Sequence, residues 1–174
     1  MTQRIPQEIL AIYQKITNAG FEAYLVGGCV RDLLVGIPPK DFDIATSAPP
    51  DSIRRKISNS YIIGRRFRLV LVKRGASQYE IATFRRNGSN DEPVDQAAPP
   101  VQGDNFFGTA EEDAKRRDFT LNALFYDPIQ KNLIDYCSGM DDVNARIIRV
   151  IGEPNVRFVE DPIRILRAVR LAHK

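Results

Sequence analysis

Between Lys40 and Thr46 the chain reads KDFDIAT, and no other stretch limits the possible folds so sharply. Its β-forming residues predict a strand over 41–45. Residues two apart on a strand point the same way, so Asp41 and Asp43 share one face while Phe42 and Ile44 take the other. Their Cα atoms would stand about 6.6 Å apart. Like charges at that spacing repel unless water or a cation lies between them. The plainer reading is a solvated edge strand. The chemical reading is a pair of hard oxygen ligands for a divalent cation, which combines a few carboxylates with water and phosphate oxygens. A glycosidase pair fits less well, because the flanks are rich in arginine and offer no apolar setting for a protonated acid.

A third acid, Glu80, lies in QYEIATF, where alternation sets it opposite Tyr79 and Ile81. If its strand runs beside that of Asp41 and Asp43, three carboxylates converge, as two-metal phosphoryl transfer requires. The adjacency itself is not written in the sequence.

The elements around these acids follow from periodicity. Ile9, Leu10, Tyr13 and Ile16 at helical spacing predict an amphipathic helix over 6–18, stopped by Gly20. Strands are expected at 22–26, 61–64, 68–73 and 78–84, with short strands in NALFYD and NLIDY and a further apolar run in RIIRVIG. Helices are expected over CVRDLLVG, over 51–57 after Pro49-Pro50, and from Pro162 to the end. Thr109 and Glu112 form a capping box for a helix through AEEDAKR. Residues 86–108, with Pro93, Pro99 and Pro100, read as a long acidic loop. The sum is an α+β fold: a mixed, mainly antiparallel sheet flanked by helices, and ending in helix.

With 43% hydrophobic and 27% charged residues in 174, one compact domain is expected. No run of about 18 apolar residues is present and the start MTQRIPQE is polar, so a cytoplasmic, membrane-free setting is expected. Cys29 and Cys137 sit in no C-x-x-C pair and read as buried thiols, and lone His173 supports no general-base role. Residues 51–86 hold ten basic and two acidic groups, whereas 87–113 hold none and seven, which suggests a basic surface for polyanions beside an acidic loop. The alternative is scattered surface charge.

Three further groups suit anions. Gly27-Gly28 between strand and helix leaves backbone N–H groups for a phosphate, with Arg31 one turn on and Asp32 as its ion-pair partner; a tight turn is the plainer account. KRRDFTLNA gathers Arg116, Arg117, Asp118 and Asn122, which suit triphosphate and ribose hydroxyls, or a solvated helix end. In EDPIRILRAVR, Asp161 and Arg164 one turn apart form a pair able to read a base edge.

In order, LVGGCVRDLLVG, KDFDIAT, EIATFR, EEDAKRRDFTLNAL and EDPIRILRAVR resemble the class II nucleotidyltransferases of the polymerase-beta superfamily, the group of bacterial poly(A) polymerases and CCA-adding enzymes. The resemblance implies a catalytic head over 1–153 and, over 154–174, the first helix of a helical neck that in the family continues into RNA-holding regions. It implies Asp41 and Asp43 as metal-binding pair with Glu80 as third carboxylate, and Mg²⁺, or Mn²⁺ in its place, in a two-metal site. Gly27, Gly28 and Arg31 match the phosphate motif. Arg116, Arg117, Asp118 and Asn122 match the ribose and triphosphate motif. Glu160, Asp161 and Arg164 match the base-reading motif, with Arg167 beside it. YIIGRRFRLVLV resembles a segment typical of the poly(A) polymerases, so the expected activity is transfer of AMP from ATP to the 3′ end of mRNA or another RNA. The alternatives are CCA addition to tRNA, a non-catalytic RNA-binding module, and nucleotidyl transfer to a small hydroxylated molecule.

Overall fold

The computed structural model describes residues 5–64, 68–86 and 107–173. The expected loop lies outside the described residues except at its ends, and so do Arg65, Arg66 and Phe67 of GRRFRL.

The chain opens with α1 (Gln7–Thr17), β1 (Ala23–Val26), α2 (Gly28–Leu34), β2 (Asp43–Thr46) and α3 (Pro50–Lys56). β3 (Ser60–Ile63), β4 (Leu69–Arg74) and β5 (Ser77–Thr83) follow, then α4 (Ala110–Lys115), β6 (Leu124–Asp127) and β7 (Asn132–Asp135). α5 (Gly139–Ala145), α6 (Pro154–Glu160) and α7 (Ile163–Ala172) complete the described chain. The strands form one seven-stranded sheet in the order β3-β4-β5-β2-β1-β6-β7. Every neighbouring pair is antiparallel except β2 with β5, so the mixed, mainly antiparallel sheet of an α+β fold is present.

Alternation along the strands divides the core. On one face Leu25, Ile44, Val70, Val72, Ile81 and Leu124 pack with Ile9, Ile12, Tyr13 and Ile16 of α1. On the other, Val26, Ala45, Phe84 and Phe125 meet Ala110 and Ala114 of α4. Each fully buried side chain of this size contributes about 1.5–3 kcal/mol, so these two layers hold the sheet flat between helices. Asp43 and Glu80 belong to the second face by the same alternation, at the end of β2 where the apolar cover stops.

Three expectations need correction. In α1 the inward stripe uses Ile12, which is buried, while Leu10 is only partly buried, because the helix turns its 9-12-13-16 positions to the sheet. β2 begins at Asp43, so Asp41 precedes the strand instead of lying on it. Of the two cysteines, Cys29 is buried but Cys137 only partly so.

Two helices were not anticipated. α6 starts on Pro154, a first-turn proline. The start of α5 is held by the Asp135 carboxylate, which accepts from the backbone N–H of Gly139 (3.0 Å) and Met140 (2.9 Å). α5 in turn bolts down the 3-10 turn at Thr120–Asn122. The Thr120 hydroxyl donates to Asp142 (2.6 Å), whose carboxylate also takes the Arg149 guanidinium at 3.0–3.2 Å. Those bonds hold Asp142 below the usual carboxylate range.

At Gly139 the two elements touch: a Cβ there would lie 2.2 Å from the Thr120 carbonyl oxygen. Backbone cannot yield as a side-chain tip does. Gly139→Ala is therefore expected to destabilise the protein by about 2–4 kcal/mol, read as a lower urea midpoint with an unchanged slope.

Candidate active site

The parallel pairing of β2 with β5 sets Asp43 in register with Glu80. On the other side Asp43 pairs with Val26, the last residue of β1 before the Gly27-Gly28 turn. Three sequence motifs thus meet at one point of the sheet. Burial first, and then the neighbouring charge of Glu80, push the Asp43 carboxyl up to about 6; Arg117 offsets part of this and Asp41 adds to it. A carboxylate in that condition is short of positive charge.

A cleft of about 300 Å³ opens beside it, lined by Gly28, Arg31, Lys40, Asp41, Asp43, Asp118, Asn122, Arg167 and Arg170 among others. Gly27, with φ 75°, adopts a backbone conformation that favours glycine, and a Cβ on it would sit 3.4 Å from Arg117 Nη1. Its N–H donates to the Leu124 carbonyl (3.4 Å), so it continues the sheet and is not available to a ligand. Arg31 is braced by Asp32 through Nε (3.1 Å) and Nη2 (2.7 Å), and its Nη1 donates to Asn122 Oδ1 (2.5 Å). Asn122 Nδ2 reaches Asp118 (3.5 Å), which also pairs with Arg167 (3.2 Å). The glycine motif, the RRD motif and α7 are joined by this chain of bonds.

Not every expected residue faces the cleft. Arg116 and Arg117 stand behind it on α4's end, tied to Asp113. The expected Asp161–Arg164 pair does not form: Arg164 turns back to Glu160 (3.3 Å) and to the Arg157 carbonyl, while Asp161 faces Arg167 (3.8 Å). The break between α6 and α7 at Asp161–Pro162 explains this, because the two residues do not lie on one continuous helix. Lys40 and Arg170 line the cleft without having been singled out. Arg170 was legible in EDPIRILRAVR, where it follows Arg164 and Arg167 at steps of three residues; Lys40, only from its place beside Asp41. Arg157 was missed altogether, and it donates from Nη2 to the carbonyls of Arg116 (2.9 Å) and Arg117 (3.0 Å), fixing α6 to the RRD motif.

Among the described residues no group of three or more His, Cys, Asp or Glu is drawn together tightly enough to hold an ion unaided. The donor chemistry nonetheless fits Mg²⁺, which takes one or two carboxylates together with water and phosphate oxygens. The in-register placement of Asp43 beside Glu80, with Asp41 lining the same cleft, is the observation that favours a cation there.

A mixed sheet with paired acids at the mouth of an arginine-lined cleft defines a nucleotidyltransferase head. The chain belongs to the family described as "Poly A polymerase head domain", whose model matches residues 23–149. It is 46% identical to a poly(A) polymerase I of Salmonella typhi over 98% of this chain, and 44% identical to a CCA-adding enzyme of Streptococcus suis over 95%. The chain spans only 38% and 40% of the length of these two relatives. Among solved structures, the Bacillus stearothermophilus CCA-adding enzyme in complex with CTP superposes with a TM-score of 0.80 at 40% identity, covering 94% of this chain and 38% of that one.

The raised Asp43 carboxyl has a consequence for stability. Below its ordinary value of 3.8 the group is protonated folded or unfolded and contributes nothing. Between there and about 6 the folded state holds a proton that the unfolded state has released, so stability falls as pH rises. Asp43→Asn is expected to stabilise the metal-free protein by about 1–2 kcal/mol at pH 7.5, with the gain fading toward pH 4. Urea denaturation in EDTA at both pH values measures it, and a gain independent of pH would contradict the assignment.

Proposed function

We propose that this chain is the catalytic head of a template-independent nucleotidyltransferase that transfers AMP from ATP to an RNA 3′-hydroxyl. The in-register placement of Asp43 beside Glu80, with Asp41 at the mouth of the same cleft, is the observation that carries the reading. The 3′-oxygen attacks the α-phosphorus, a new P–O bond forms, the bond to pyrophosphate breaks, and the hydroxyl proton passes to solvent.

Asp41, Asp43 and Glu80 would hold divalent metal, Mg²⁺ or Mn²⁺. When bound, it lowers the pKa of the attacking hydroxyl and offsets charge on the leaving phosphates. The chain's own groups orient the reactants. Gly28 and Arg31 suit the phosphates, with Gly27 shaping the turn, and Asp118 and Asn122 suit the ribose hydroxyls. Arg116 and Arg117 supply positive charge behind the triphosphate. For the base edge, Arg167, which lines the cleft and faces Asp161, is the candidate, while Glu160 and Arg164 brace the joint between α6 and α7. Residues 1–153 would form the head and 154–174 the start of a helical neck. A cytoplasmic setting agrees with the finding that, among the described residues, no helix is long and apolar enough to cross a membrane.

CCA addition to tRNA is the second reading. It is favoured by the 44% identity to a CCA-adding enzyme and by CTP in the superposed structure. The choice of ATP alone rests on YIIGRRFRLVLV, part of which lies outside the described residues.

Incubating the protein with Mg²⁺, labelled RNA and either ATP or CTP tests both. Poly(A) addition predicts tails on generic RNA from ATP alone; CCA addition predicts CTP use on tRNA lacking its 3′ end. Asp43→Asn should lower incorporation about 10³-fold or more, reflecting the several kcal/mol that metal-ion catalysis supplies. Retained activity in that variant would remove the metal assignment.

A further inference from the structure

The acidic residue most heavily bonded near the site is not one of the expected metal ligands. Asp113, on α4, is 5% exposed. Its Oδ1 accepts from the backbone N–H of Arg85 (3.1 Å) and from Arg116 Nε (3.3 Å). Its Oδ2 accepts from Arg117 Nε (3.2 Å) and Nη2 (2.9 Å). Spacings of three and four residues put both arginines on Asp113's side of the helix end. Arg85 is the second residue beyond β5, the strand of Glu80. One carboxylate therefore ties the strand of an expected metal ligand to two arginines of the RRD motif.

Arg117 is held from other sides as well. Its guanidinium lies over the Phe125 ring (5.1 Å), and Nη1 donates to the Asn122 carbonyl (3.4 Å). Its charge reaches Asp43. Arg116 is engaged through Nε alone among the described hydrogen bonds, so its two terminal amino groups have donors to offer. Two guanidinium groups share one carboxylate, with the Arg85 peptide N–H as its third donor, so the cluster keeps a net positive charge suited to a polyphosphate. A guanidinium fixed before its ligand arrives loses less rotamer entropy on binding and needs no reorganisation.

We propose that Asp113 is a positioning residue for nucleotide binding, fixing Arg116 and Arg117 as a charged backing behind the triphosphate of the incoming nucleotide. This rests on the nucleotidyl-transfer reading above. A merely structural Asp113 would also be buried and paired, so the test must separate the two roles.

The affinity for ATP with Mg²⁺ and the rate of AMP incorporation into an RNA primer are measured for the protein, Asp113→Asn, Arg117→Lys and the double variant. Asp113→Asn is expected to raise KM for ATP about 10- to 100-fold, with a smaller fall in kcat, as loss of a charge-assisted hydrogen bond predicts. The double variant should lose little more than the worse single one. Unchanged ATP affinity with lowered Tm, or additive losses, would overturn the proposal. If Asp113→Asn does not fold, NMR of the unaltered protein decides. Sharp, slowly exchanging Nε–Hε signals from Arg116 and Arg117 before nucleotide is added support it, and averaged signals refute it. An unaltered protein that binds neither ATP nor CTP would instead sink the functional reading.

Discussion

Everything in the site depends on one pairing, the parallel alignment of β2 with β5. In an otherwise antiparallel sheet it is the single place where two strands run the same way. That alignment fixes the register by which Asp43 meets Glu80. A slip of one residue would turn Asp43 toward α1 and put Ile44 at the cleft, an exchange forbidden by the apolar layer behind Ile44 and Ile81. The hydrophobic core thus enforces a concentration of negative charge that electrostatics alone would disperse.

The remainder of the site answers that charge. Positive groups surround the acids without closing on them: Arg31 is bound to Asp32 and Asn122, Arg167 to Asp118, and Arg117 to Asp113. Each cation is anchored by a carboxylate or amide placed behind it. Orientation is kept while burial and the charge of Glu80 raise the Asp43 carboxyl, with Arg117 offsetting part of the rise. The same bonds connect α2, the Thr120–Asn122 turn and α7, so the cleft's walls are one bonded unit.

Local patterns were legible where one force dominated. The strand in RLVLVK, the alternation that sets Glu80 opposite Tyr79 and Ile81, the Thr109–Glu112 capping box, and a helix introduced by Pro49-Pro50 all appear as read. Readings failed where a long-range partner decided the outcome. α5 is short and polar, and it depends on Asp135 from the preceding strand to hold its first N–H groups. Arg164 and Asp161 have the spacing of a helical pair, yet Pro162 breaks the helix between them.

The sequence by itself determined which chemistry was within reach, because residue types and their order state the available ligands: paired acids, a third acid, glycines before a helix, and arginines after it. It also set the faces, since a period of two puts Asp43 and Ile44 on opposite sides of any strand. Only the tertiary structure decided adjacency. That Glu80 stands beside Asp43, that Arg31 reaches Asn122, and that Arg167 instead of Arg164 reaches the cleft all follow from strand order and helix breaks. Those are settled by packing among residues far apart in the chain, where no local propensity acts.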